Sequence, residues 1–387
     1  MSVGSLVPLV LFGTTVLLAL EPIRRPRGLA VASFLAALGA GELPQLFLVL
    51  LLAATVPDLV ESGLPHEPAG WLPLGLVALT CAGLGLVAVR AARARDVVGR
   101  ALVEGLGNAV GYRRPRLLRT LHVLVAPFPA RPRRVERIAD VAYGDAGRRN
   151  RLDVYRHCSH PSGAPVLIHL HGGGYSSGAK HREARALLHR MAAEGWVCVS
   201  ANYRLRPAAG FVDHVVDAKK VIAWVREHGP AYGADPGTVV VSGSSAGGHL
   251  AALCALTPGE PVFQPGFEQV DTTVSAAVCL YAWYGRYYGR PADEHPPSSP
   301  LDLDVTSAPP FFLAHGDRDT YVPVQGARSF AARLRGGSSR PVVHAELPGA
   351  QHGFDRFRSV RFEAVVDGVA AFLAAVGDRA GRAPGRA

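Results

Sequence analysis

The chain has 387 residues, 49% of them hydrophobic, with 41 Lys and Arg against 31 Asp and Glu, a net charge of +10. That length exceeds one minimal domain and allows a full core with an appendage. The basic excess is placed against nucleic-acid binding: Arg24, Arg25, Arg27, Arg90, Arg93 and Arg95 flank apolar segments, Arg113, Arg114, Arg116, Arg119, Arg131, Arg133 and Arg134 follow them, and no aromatic-interleaved basic strand or Cys/His finger spacing occurs. The same placement favours a membrane surface.

Residues 1–95 read as a transmembrane region of about three helices. Residues 3–20 carry no charge and nearly the length, roughly 20 residues, that crosses a bilayer as a helix. A secretory signal would need positive charge before the apolar run, whereas Arg24, Arg25 and Arg27 come after it. The second stretch, residues 29–57, holds Glu42 and Pro44 near its middle and is expected to make one crossing, as a tilted or kinked helix or as a span with an interfacial turn. The third, residues 71–89, ends at Arg90. The loops alternate in charge, arginine-rich after the first and third spans and acidic at Asp58, Glu61 and Glu67. Three crossings with the N-terminus outside satisfy that alternation and place the following domain on the cytoplasmic side of the plasma membrane. Membrane lipids are thus expected partners.

Residues 96–136 read as a basic amphipathic juxtamembrane linker, in which Leu117, Leu118, Leu121, Leu124 and Val125 recur at helical spacing. Such a helix suits either an anionic leaflet or the face of the next domain. Residues 137–376 alternate β-rich and helix-length runs, with strands expected at 138–143, 151–156, 165–171, 196–202, 238–243, 275–281, 310–316 and 341–348. Helices fit at 180–193, 213–228, 246–256, 324–335 and 358–375. This is the rhythm of an α/β doubly wound, mostly parallel eight-stranded sheet, its first two strands forming an antiparallel edge hairpin. Residues 377–387 read as a disordered tail. The five cysteines, Cys81, Cys158, Cys198, Cys254 and Cys279, lack CxxC spacing and read as free.

Within this domain Gly243-Ser244-Ser245-Ala246-Gly247 follows the strand TVVVSG and precedes an apolar helix. Ser245 therefore falls on a strand-to-helix turn, its hydroxyl exposed at the sheet's C-terminal edge and at a helix N-terminus. Upstream, His171-Gly172-Gly173-Gly174-Tyr175 ends another strand, and consecutive glycines let backbone N–H groups approach an oxyanion. Gly173, Gly174 and Ala246 are the candidate donors. A serine needs a base, and the base an orienting group. Asp317 and Asp319 follow the strand FFLAHG and His352 follows VVHAELPG, in the order Ser, acid, His. Asp319 is preferred because it sits deeper in the turn after Gly316. His169, His315 and His344 lie inside expected strands and read as core or edge residues.

Together HLHGGGY, SANYRL, GSSAGGHLA, HGDRDTYVP and GAQHGF resemble the α/β-hydrolase esterases and lipases related to hormone-sensitive lipase, over roughly residues 137–375. The HGxxDxxV form around Asp319 is closer to the feruloyl-esterase-like and isoprenylcysteine methylesterase-like branch. The family commonly has Asp before the serine; this chain has Ser244. The resemblance implies attack by Ser245 on a carboxylic ester, an acyl-enzyme, hydrolysis by water activated by His352, and no metal or cofactor. Tyr175, Tyr203, Trp283 and Tyr284 are candidates to line an acyl pocket for a small-molecule or lipid ester. An amidase or peptidase with the same triad is the second reading. A non-catalytic receptor, comparable to the gibberellin receptors that lack the histidine, is the third.

Overall fold

The computed structural model describes residues 3–107, 112, 117–291 and 293–381. Eight strands, β1 (Val135–Ala142), β2 (Arg151–His157), β3 (Ala164–Leu170), β4 (Val197–Ala201), β5 (Ala234–Ser244), β6 (Ala276–Leu280), β7 (Phe311–Gly316) and β8 (Val342–Leu347), form one sheet in the order 1-2-4-3-5-6-7-8. β1, β2 and β4 pair antiparallel; every later neighbour is parallel. The central strands are buried on both faces, which is why PVLIHL, TVVVSG and AAVCL read as continuous apolar runs without alternation.

Among the described residues ten α-helices surround and extend the sheet: α1 (Val3–Leu20), α2 (Arg27–Glu42), α3 (Pro44–Ser62), α4 (Trp71–Leu106), α5 (Leu117–Val125), α6 (Arg185–Ala193), α7 (Phe211–His228), α8 (Ala246–Leu256), α9 (Gln325–Gly337) and α10 (Val360–Gly381). α7, α8 and α9 cover one face of the sheet, while α6, α10 and the second half of α4 cover the other. α10 takes in residues 377–381 of the expected tail; residues 382–387 lie outside the described ones.

The N-terminal region refines the sequence expectation at two places. Residues 29–57 are two helices, broken at Leu43, because Pro44 has no N–H to donate and pushes the residue before it out of helical geometry, to φ −126° and ψ 51°. Glu42, at the break, is buried and ion-paired with Arg361 at the start of α10. Among the described residues two helical segments are long and apolar enough to cross a membrane, Pro44–Glu61 and the stretch within Pro68–Leu106, with a shorter apolar helix at Val7–Leu20.

α4 also runs through the expected boundary at residue 95. At 1.5 Å per residue its 36 residues span about 54 Å, well beyond a hydrocarbon core of about 30 Å. Its second half buries Ala94, Val98, Ala101, Leu102 and Leu106 against Phe312, Val343 and Phe362 of the sheet domain. One helix thus belongs to both regions. α5 follows and packs on α10 through Arg119, which bridges Glu363 and Asp367, while Leu121, Leu124 and Val125 stay exposed. Arg113, Arg114 and Arg116 lie outside the described residues.

Candidate active site

Ser245 occupies the turn between β5 and α8 with φ +54° and ψ −116°, a conformation unfavourable for any residue with a Cβ and held by its neighbours. A Cβ at Gly243 would lie 2.1 Å from Gly247 O, and one at Gly247 would lie 2.0 Å from Leu170 O. Only glycine lets the turn close this tightly. The Ser245 N–H donates to Leu280 O at 2.9 Å, which pins the turn to β6.

The loops after β7 and β8 bring Asp319 and His352 to this serine. His352 Nε2 lies 2.9 Å from Ser245 Oγ, and His352 Nδ1 lies 2.8 Å from Asp319 Oδ2. All three residues are buried. Asp319 Oδ1 accepts from the N–H groups of Tyr321, at 2.9 Å, and Val322, at 2.7 Å. Burial alone would raise its pKa, but the charge of His352 and hydrogen bonds from His315 and His352 outweigh it, and hold the carboxyl well below the usual carboxylate range. Asp317 instead turns to the Gly349 N–H at 2.7 Å, a bond that ties the two loops together, and does not reach His352. Burial depresses His169 to about 3 and His344 to about 4, so both stay neutral; His315 backs Asp319 at 3.4 Å.

The glycine loop after β3 lies beside the serine, with the position of a Cβ at Gly172 only 3.0 Å from Ser245 Cβ. Gly173 and Gly174 have positive φ, and neither their N–H groups nor that of Ala246 has a hydrogen-bond acceptor among the described residues. Glu183, also buried, accepts the Gly172 N–H at 2.6 Å and fixes the loop.

The aromatic candidates separate on their contacts. Tyr175 and Tyr203 are buried under the glycine loop: Tyr175 OH donates to Ala246 O at 3.2 Å, and Tyr203 OH to His171 O at 2.8 Å with its ring stacked on His171. They brace the site and do not line it. Tyr284 is buried against Phe330 of α9, with ring centroids 4.7 Å apart, because its side chain falls on the core face of the turn. Trp283 is exposed, its indole N–H donating to Arg286 O at 2.9 Å. The rings that reach the site are others. Tyr321 lies 5.0 Å from the His352 ring, Tyr281 4.6 Å and Phe34 of α2 5.8 Å, and the hydroxyls of Tyr288 and Tyr321 lie 3.4 and 3.7 Å from where a Cβ on Gly174 would be.

A second carboxyl also sits under the serine. Asp355, fully enclosed, shares hydrogen bonds with Ser244 Oγ and Tyr281 OH. Burial, and then the nearby Glu183 charge, push its pKa up. The sequence offered one signal for it, Ser244, at the position where the family it resembles commonly has Asp.

Comparison with known proteins bears on the family. The BD-FAE family model matches residues 152–287. A probable carboxylic ester hydrolase, LipM of Mycobacterium tuberculosis, is 36% identical over 100% of this chain and 96% of its own length, and Esterase LipQ of the same organism is 37% identical over 74% and 76%. Esterase 2 of Thermogutta terrifontis, solved native and phosphonylated by cyclosarin, is 26% identical with a TM-score of 0.54, and in the native form covers 63% of this chain and 93% of its own. With a glycine-locked serine, a buried histidine and aspartate in line behind it, and a relative matched end to end, the chain belongs to the α/β-hydrolase family of carboxylic ester hydrolases related to hormone-sensitive lipase.

Proposed function

We propose that this chain is a membrane-bound serine esterase that cleaves a lipophilic carboxylic ester through an acyl-enzyme on Ser245. The observation that carries the reading is the buried line of hydrogen bonds from Asp319 through His352 to Ser245. Ser245 Oγ attacks the ester carbonyl carbon while its proton passes to His352 Nε2. The new oxyanion faces the N–H groups of Gly173, Gly174 and Ala246, and Asp319 stabilises the imidazolium. The intermediate collapses, the alcohol leaves with the proton from His352, and Ser245 holds the acyl group. Water then gives a proton to His352 and its oxygen to the acyl carbon, and a second collapse returns that proton to Ser245 and frees the acid. A receptor role has little support, since the histidine that such proteins lack is present and bonded to both partners.

Membrane attachment is supported by the apolar helices and the flanking arginines. We assign crossings to α1, α3 and the first half of α4, with α2 lying at the cytoplasmic interface. The break at Leu43 leaves the number and direction of crossings as the charge alternation requires. The test is twofold. Full-length enzyme in detergent should hydrolyse p-nitrophenyl butyrate and take up a fluorophosphonate on the Ser245 peptide, and Ser245→Ala should lose both; a variant keeping more than a few per cent of activity would overturn the nucleophile. A reporter fused after Ala387 should behave as cytoplasmic. Digestion of the hydrolase domain by protease in intact cells, with a cytoplasmic control spared, would overturn the topology.

A further inference from the structure

α2 lies between two very different surfaces. On one side Ala37 and Ala40 pack against Ala19 of α1 and Val87 of α4, within the apolar bundle. On the other, the helix lies against the His352 ring and the loop that carries Asp319. The Phe34 ring meets the His352 ring edge-on, with centroids 5.8 Å apart, and lies 6.1 Å from Tyr321. Ala30 O accepts from Thr320 Oγ1 at 3.1 Å, and Thr320 adjoins Asp319 in sequence. The helix is fastened at its C-terminal end, where Glu42, its last residue, pairs with Arg361 and accepts from Ser359 Oγ at 2.6 Å, and the connection leading into it is held by Glu21, which follows α1 and pairs with Arg318. Three of these contacts fall on the segment 318–321 that carries Asp319, so the position of α2 and that of the orienting carboxylate are set by the same loop.

Phe34 is buried, and its ring contacts are with His352 and Tyr321 of the hydrolase domain. The next residue, Leu35, is 62% exposed and points away. A side chain held against the imidazole that accepts the serine proton limits what else can lie there.

Resting on the assignment of Ser245 and His352 above, the geometry points to α2 as a wall of the active site and to Phe34 as a specificity-determining residue, one that limits the chain of a lipophilic ester that can lie beside His352. The acyl or alcohol chain runs along α2 toward the apolar bundle, and the Phe34 ring stops it. The substrate class is therefore an ester of an amphiphile, with its polar ester at Ser245 and its chain directed at the membrane region.

The experiment uses full-length protein in detergent with two series: p-nitrophenyl esters from acetate to decanoate, and acetates of alcohols of increasing length. Phe34→Ala should raise kcat/KM for the longest member relative to the shortest by about tenfold in at least one series, and Phe34→Leu, which keeps an apolar filler and guards against a folding defect, by a few-fold. Leu35→Ala should leave both profiles within about twofold of wild type. Each variant is also titrated with a fluorophosphonate. Wild type that takes up no label at Ser245 would overturn the nucleophile assignment and this proposal with it. Labelled Phe34 variants whose long-to-short ratio is unchanged or lowered in both series would overturn the role of Phe34 alone.

Discussion

The hydrolase domain and the helical region before it satisfy their groups by opposite means. In the domain, the buried acid beside Ser245 and His352 finds its partners inside: Asp319 alone accepts two backbone N–H groups and binds two histidines. In the N-terminal helices the internal contacts are made by small and apolar residues, and Val10, Leu11, Leu17, Val49, Val60 and Leu79 are left exposed. A domain that completes itself can be read from its own motifs. A region that shows apolar side chains outward leaves part of its energetics to its surroundings. The two meet through α4, which is shared, and through α2, which carries the Phe34 ring to His352.

The largest effect that would break this contrast lies in the domain. Asp319→Asn should lower kcat by about 10⁴-fold, since an amide cannot hold the imidazole in the tautomer that accepts the serine proton. Asp317→Asn should stay within a few-fold of wild type, because its partner is the Gly349 N–H. Steady-state kinetics on p-nitrophenyl butyrate decide it. Comparable losses would mean that the loop, and not one carboxylate, sets the histidine.

The junction gives the next effect. Arg361 is wholly buried, with Glu42 as its counter-ion and the carbonyls of Gly41, at 3.0 Å, and Pro348, at 3.3 Å, as acceptors. Glu42→Gln leaves that guanidinium without a counter-charge and should cost about 3–5 kcal/mol. The readout is thermal unfolding of the full chain in detergent. Adding Arg361→Met should recover much of the loss, because the uncompensated charge goes with it. A single variant within about 1 kcal/mol of wild type would show that the two regions are docked by their apolar contacts alone.

The domain was legible because each of its motifs carries its own local physics. The glycines around Ser245 are required by backbone atoms within five residues or on the adjacent strand, so strand, turn and helix could be placed from GSSAGG and its flanks. The order Ser245, Asp319, His352 followed from strand ends. The aromatic lining was not legible, since which face of a turn Tyr284 takes depends on α9 arriving beneath it. Phe34 carried no signal at all: it lies in an apolar run and meets His352 only through folding of nearly the whole chain. The break at Leu43 was marked by Pro44 and Glu42, but its meaning depended on Arg361, which the sequence places in a distant helix.

The smallest effect concerns the carboxyl beneath the serine. Asp355 has its pKa raised by burial and by Glu183, so the folded protein holds its proton more tightly than the unfolded chain does, where an aspartate titrates near about 3.9. By linkage the folded state then loses stability as pH rises from that value through the folded pKa, the reverse of a salt-bridged aspartate such as Asp319. Asp355→Asn keeps hydrogen-bonding atoms for Ser244 and Tyr281 but cannot ionise. Around pH 5 the variant should be no more stable than wild type. The gap should then narrow, or change sign, by about 3 °C in Tm between pH 5 and pH 8, since a tenfold difference in proton affinity between folded and unfolded chains is worth about 1.4 kcal/mol and 1 kcal/mol moves a domain of this size by about 2–4 °C. Parallel Tm curves across that range would show that Asp355 is ionised throughout, with Ser244 and Tyr281 compensating its charge. The domain would then hold a buried carboxylate beneath Ser245 by hydrogen bonds and the nearby Arg356 charge, without the direct ion pair that Glu42 makes with Arg361.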